Sequence, residues 1–220
     1  MSAVFTVCGL AALAFAAAIT LFLCLSGIPA IREIGFFKFI LGKVWNPTGA
    51  EPAYGILPFI LSSVYGTLGA VVLGVPMGIL CAAYMAKAAP RPIAAALSEA
   101  VNLLSGIPSV VYGLVGMIVL VPAVRNVFGL PDGASLFAAI LVLAIMILPS
   151  VISVSETAIK AVPREYEEGS LALGATRNET IFRVILPAAK SGIFASAVLG
   201  TGRAIGEAMA VMMVSGNVSN

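Results

Sequence analysis

Two charged side chains stand four residues apart in an otherwise apolar run near the end of the chain: Arg203 and Glu207, in Gly200-Thr201-Gly202-Arg203-Ala204-Ile205-Gly206-Glu207. On one continuous helix that spacing puts both on one face. Each charge costs about 2.5–3.5 kcal/mol at the centre of a membrane helix, so both must face protein or water. One use is a structural ion pair, although Arg before Glu is the weaker order at this spacing. The other is anion handling, with the planar guanidinium fork donating two parallel hydrogen bonds and Glu207 holding or gating it. Gly200, Gly202 and Gly206 leave room for a path or for a close neighbouring helix. Ser105 and Ser109 are further candidates, because they flank Gly106-Ile107-Pro108. A Gly-Pro break at membrane depth is buried in protein or lines a wet cavity, so this stretch is either a kink or path lining.

Other chemistry is scarce. The chain has no His, the commonest metal ligand and acid–base group. Cys8, Cys24 and Cys81 lie in apolar runs without CxxC spacing or basic neighbours, and read as small hydrophobes. There is no GxxxxGK[ST] phosphate loop, so the chain does not hydrolyse ATP by itself. The residue sets of intramembrane proteases are missing as well. No catalytic residue, metal or cofactor is expected.

One polar island remains, Pro163–Pro187. Pro163 suits the first turn of a helix, and Glu165, Glu167 and Glu168 suit the positive end of its dipole. Gly174 is placed to end that helix in a left-handed cap. Thr176 and Glu179 stand at capping-box spacing and open a second helix, Arg177 to about Leu186, with Pro187 at its end or kink. Two short helices meeting at a glycine, charged on one side and apolar on the other, are built to be held by a partner protein.

The elements that position these residues are membrane helices. The chain has 220 residues, 60% of them hydrophobic and 10% charged, against a soluble norm of about 25% charged. Mean hydropathy is +1.10. Net charge is only +2 and the basic residues are scattered, which makes nucleic acid a poor partner. The expected fold is an all-α polytopic helix bundle with about five spans in a lipid bilayer. These are Val4–Ser26, a helix from about Ile60 to Met85 with a kink near Pro76, the interrupted stretch Ile93–Pro122, Gly133–Ser155 with a kink at Pro149, and Ser191–Val214. Between the first two lies a polar connection, Gly27–Ala53, where Trp45 and Tyr54 suit an aromatic belt. Glu99 falls near an interface, and Arg125–Ala134 is a turn-rich loop. The loops at 87–91 and 156–190 share a side and hold seven Lys and Arg, whereas the other side's loops hold four. The positive-inside rule puts the island in the cytoplasm.

The island also carries a resemblance. Glu168-Gly169-Ser170, three residues, Gly174, nine residues, then Val184-Ile185-Leu186-Pro187 resembles the EAA loop of ABC importer permeases. Gly-Ser replaces Ala-Ala and Val184 replaces Ile, while the spacing is kept. The resemblance implies a type I importer permease fold and a coupling helix that docks on a cytoplasmic ATPase, with Glu168, Gly169, Ala172 and Gly174 at the joint. Trp45-Asn46-Pro47, Tyr54–Phe59 (YGILPF) and Ser105–Gly113 (SGIPSVVYG) resemble the narrower PstC-type phosphate permeases.

That resemblance implies a division into residues 1–54, the first helix and an extracytoplasmic connection, and residues 55–220, the permease core with its coupling loop at 156–190. It implies a bacterial inner-membrane location and three kinds of protein partner: a homologous PstA-like permease, a PstB-like ATPase and a PstS-like external phosphate-binding protein. Arg203, Glu207, Ser105 and Ser109 become substrate-path candidates. Such permeases continue into a last helix, so a further hydrophobic segment is expected beyond Asn220, the alternative being a divergent protein; a non-functional fragment stands among the alternative functions. A permease of the same superfamily for sulfate, molybdate or an amino acid is the nearest alternative function. A channel would not need a docking loop.

Overall fold

The computed structural model describes residues 2–49 and 51–216. The chain divides between Leu61 and Ser62 into two compact units, and one helix runs across that boundary.

In the first unit, α1 (Ser2–Ile34) is a single helix whose span, Val4–Ile34, has no buried residue. It is longer than the expected Val4–Ser26. Pro29 rides inside it, and Arg32 falls in its last turn, where a cation meets the negative end of the dipole. The charges mark the end of the apolar run and not the end of the helix, which comes at Gly35 with φ +89°. The short α2 (Phe36–Leu41) follows, then an antiparallel pair, β1 (Trp45–Asn46) and β2 (Ala53–Tyr54), with Trp45 opposite Tyr54. Trp45 meets Tyr54 edge-on at 6.1 Å and Phe59 at 5.6 Å. The Ile56 N–H donates to the Phe39 carbonyl at 2.9 Å, and the Leu57 N–H to Gly42 at 3.2 Å. The WNP and YGILPF stretches, distinct in the sequence, therefore form one aromatic corner that feeds α3 (Leu57–Ala83).

In the second unit, α7 (Leu136–Lys160) is central, with buried residues along its length from Ala138 to Ile159. The glycines of α3 allow the expected close approach. A Cβ on Gly74 would lie 2.8 Å from Ile147, and one on Gly78 2.7 Å from Val151. Two apolar clusters form around α7. One joins Tyr112, Val124, Val142, Met146 and Val214; the other joins Met85, Val101, Ile159, Ile181 and Ile185 beneath the polar island.

Prolines shape the remaining elements. π turns occupy Tyr84–Ala88, Gly116–Leu120 and Ile181–Ile185. Each ends two residues before a proline: Pro90, Pro122 or Pro187. A proline cannot bond the carbonyl four residues back and its ring crowds it, so the helix widens there. Pro76 and Pro149, by contrast, lie within α3 and α7 and break neither helix.

The third hydrophobic stretch departs from expectation. It comprises a separate amphipathic helix, α4 (Arg91–Gly106), which exposes Glu99 and buries Val101, and a span, Ser109–Phe128. That span is built of α5 (Ser109–Val115), the π turn and α6 (Val121–Phe128). Pro108 forces Ile107 into extended backbone and ends α4. Arg125 belongs to α6, and the loop starts at Gly129 with φ +62°. The fourth span runs past Ser155 to Lys160, its polar end tied by a Lys160–Glu156 ion pair at 2.6 Å.

The island forms α8 (Arg164–Ala172), α9 (Arg177–Thr180), a π turn and α10 (Leu186–Ala188). Pro163 precedes α8 as its N-cap. At Ala189 the chain bends by 73° into α11 (Lys190–Ile205). The expected continuous span Ser191–Val214 is not formed: α11 stops at Ile205, and α12 (Met209–Val214) begins after a break. Among the described residues, four helices are long and apolar enough to cross a membrane, or five if the bent pair counts as one span.

Candidate functional site

The polar island closes on itself through local chemistry. Gly174 has φ +88°; its N–H donates to Leu171 at 2.9 Å, and the Ala175 N–H donates to Ser170 at 3.2 Å. Those two bonds make a Schellman ending, which needs a left-handed residue at Gly174. Thr176 and Glu179 complete a capping box: the Glu179 N–H donates to Thr176 Oγ1 at 3.3 Å, and the Thr176 N–H to Glu179 Oε2 at 2.9 Å. The hydrogen bonds from the Thr176 backbone and hydroxyl hold the pKa of the exposed Glu179 carboxyl below its ordinary value.

α8 touches the body with one edge. Glu167 and Ser170, three apart, turn inward. Lys87 Nζ meets Glu167 Oε2 at 2.6 Å, Ser170 Oγ pairs with Thr180 Oγ1 at 2.9 Å, and the Arg177 guanidinium donates to the Lys87 carbonyl. The loops at 87–91 and 156–190 thus meet at one end of the bundle. α8 has no buried residue, although it carries Tyr166 and Leu171, and Leu173 just beyond it is 92% exposed. Glu168, Gly169, Ala172 and Gly174 are all exposed with them. A Cβ on Gly169 or Gly174 would meet nothing within 4 Å. Between α8 and Lys87 opens a polar cleft of about 370 Å³ lined by Ala86, Lys87, Arg164, Glu167, Glu168, Leu171 and Arg177.

The second region lies at the end of α11. Arg203 and Glu207 do not share a helix face, because Gly206 ends α11 between them. The Glu207 carboxylate accepts the Ala210 N–H at 3.1 Å at the start of α12. Arg203 Nη1 instead donates to Ser150 Oγ on α7 at 2.9 Å. Among the described residues no carboxylate lies within ion-pair distance of Arg203. The structural ion pair is therefore absent. Gly200 serves helix packing, since a Cβ there would lie 2.8 Å from Val151, whereas Gly202 faces open space.

Ser105 lies in the last turn of α4 and Ser109 opens α5, on either side of the break. Neither hydrogen-bonds to Arg203 or Glu207. Their break is braced by Tyr112 Oη, which donates to the Leu104 carbonyl at 2.7 Å. α5 in turn seats α12, with Gly113 against Ala210: a Cβ on the glycine would lie 2.9 Å from the alanine Cα. Ser150 and Lys87 were not singled out in the sequence. The available signals were a hydroxyl beside Pro149 in an apolar span and a lone lysine ending another.

Residues 74–218 match the family described as the inner membrane component of binding-protein-dependent transport systems. The chain belongs to that family. Among permease relatives it is similar to the probable ABC transporter permease protein YqgH of Bacillus subtilis, at 42% identity over 96% of this chain and 69% of that one. It is 34% identical to the phosphate transport system permease protein PstC of Mesorhizobium japonicum, over 86% of this chain and 62% of that one. It thus spans about two thirds of these relatives' length. Among solved structures, an inward-facing MetNI methionine ABC transporter shares the permease fold, with a TM-score of 0.52 at 24% identity over 69% of this chain and 68% of that one.

Proposed function

We propose that this permease moves inorganic phosphate across the cytoplasmic membrane, driven by a separate PstB-like ATPase that docks on α8 from the cytoplasm. A PstA-like permease completes the path and a PstS-like binding protein delivers the anion. The relatedness to PstC permeases carries the choice of phosphate. The cationic Arg203 in the broken fifth span, with no carboxylate at ion-pair distance among the described residues, fits an anionic cargo.

The mechanism follows the chain. ATPase closure displaces α8. The Lys87–Glu167 pair passes that displacement to the π turn that follows α3, and the Ser170–Thr180 bond and Gly174 turn pass it to α9. The bend at Ala189 then redirects it into α11. Arg203 lies thirteen residues past Lys190, about 20 Å along a helix.

Site-directed cross-linking tests the docking. In a full-length protein whose cysteines are replaced by alanine, Leu173→Cys should join the ATPase subunit in inside-out vesicles. A cysteine replacing Val127, in the exposed last turn of α6, should not. Adducts at neither position, or only at Val127→Cys, would overturn the reading.

A further inference from the structure

We propose that Ser150 is a positioning residue for Arg203, holding the guanidinium toward the anion without neutralising it. This inference rests on the phosphate-path reading of Arg203. The Ser150 Oγ–Arg203 Nη1 bond of 2.9 Å joins the middle of α7 to the last turn of α11, across 53 residues of sequence. It is the only hydrogen bond that Arg203 makes to a side chain among the described residues. A guanidinium has five N–H donors, so one bond fixes its direction and leaves the fork's remaining donors for an oxyanion.

The chemistry of the partner matters. A carboxylate at this place would orient Arg203 equally well but cancel its charge. The nearest carboxylate in sequence, Glu207, is turned away to the Ala210 N–H. The hydroxyl gives orientation with full charge. The surrounding packing keeps it in place. Pro149 and Val151, the neighbours of Ser150, are both fully buried, and Gly200 lets α11 approach Val151 closely. Ser150 itself stays partly exposed. Ser153 and Thr157, three and seven residues on, continue that face of α7 along an open groove of about 440 Å³.

The test uses the full-length protein co-expressed with its partner permease, ATPase and binding protein, with labelled inorganic phosphate as probe. Membrane content of the assembled complex is measured beside the initial uptake rate. Ser150→Ala should lower uptake about tenfold, as expected for a lost hydrogen bond to a charged group, at unchanged assembly. Ser150→Thr, which keeps the hydroxyl, should restore most of the rate. Ser150→Asp separates positioning from scaffolding: a scaffold would tolerate the new ion pair, whereas positioning predicts uptake as poor as, or poorer than, that of Ser150→Ala. Normal uptake by Ser150→Ala or by Ser150→Asp overturns the proposal. So does loss of assembled complex in Ser150→Ala with Ser150→Asp restoring both assembly and uptake. Failure of the unmodified complex to take up phosphate would instead overturn the phosphate reading.

Discussion

Gly174 carries a left-handed backbone in open space, so a substitution there meets strain but no clash. An L residue in that conformation costs about 1–2 kcal/mol. The cost falls on the turn that sets the angle between α8 and α9. Gly174→Val should therefore leave insertion and assembly intact while reducing phosphate uptake per ATP hydrolysed. Purified complex from that variant, assayed for both quantities, should show near-normal ATPase activity and severalfold lower uptake. Normal coupling would show that the turn transmits nothing. Residue chemistry was legible where it is local: the Thr-x-x-Glu spacing of Thr176 and Glu179 and the position of Gly174 foretold the capping box and the Schellman turn. Arg203 was legible as a charge but not as a contact. Its partner Ser150 is 53 residues away, and no local pattern pairs them. Glu207 was misplaced because spacing four presumes a continuous helix. Gly206 ends the helix first, and the carboxylate meets the N–H three residues ahead.

At the scale of elements, the span count was readable from apolar length, and of the joints the Gly106-Ile107-Pro108 break was readable while the one at Gly206 was not. Apolar runs locate α1, α3 and α7, but Arg32 and Glu156 lie inside helices, so charge underestimated their lengths. The breaks at Ile107 and Gly206 each divide a run that hydropathy alone joins. The contact between α8 and the π turn Tyr84–Ala88 was foreseen only as a shared side. In the structure it is a specific ion pair, with Lys87 13% and Glu167 25% exposed. Surface pairs are worth little, but removing one partner of a largely buried pair strands the other charge. Lys87→Glu and Glu167→Lys should each reduce coupled uptake several-fold, and the double exchange should recover most of it. An exchange no better than either single change, in an assembled complex, would remove this tie from the route of force.

The whole molecule joins two regions, the exposed helix α8 that we propose couples to the ATPase and an arginine held by a hydroxyl at the far end of α11, through one bent stretch of chain. The all-α membrane class was legible, because composition and long apolar runs suit spanning helices, while the importer-permease fold rested on the resemblance carried by the polar island. Substrate choice was not, because one guanidinium suits several oxyanions. The most direct measurement is ATP-driven accumulation of labelled phosphate, with labelled sulfate in parallel. It uses proteoliposomes holding the full-length permease, its partner permease, its ATPase and its binding protein. The account predicts phosphate accumulation that requires ATP and is lost in Arg203→Gln, with sulfate at background. Sulfate accumulation matching that of phosphate, or phosphate uptake unchanged in assembled Arg203→Gln, would contradict it.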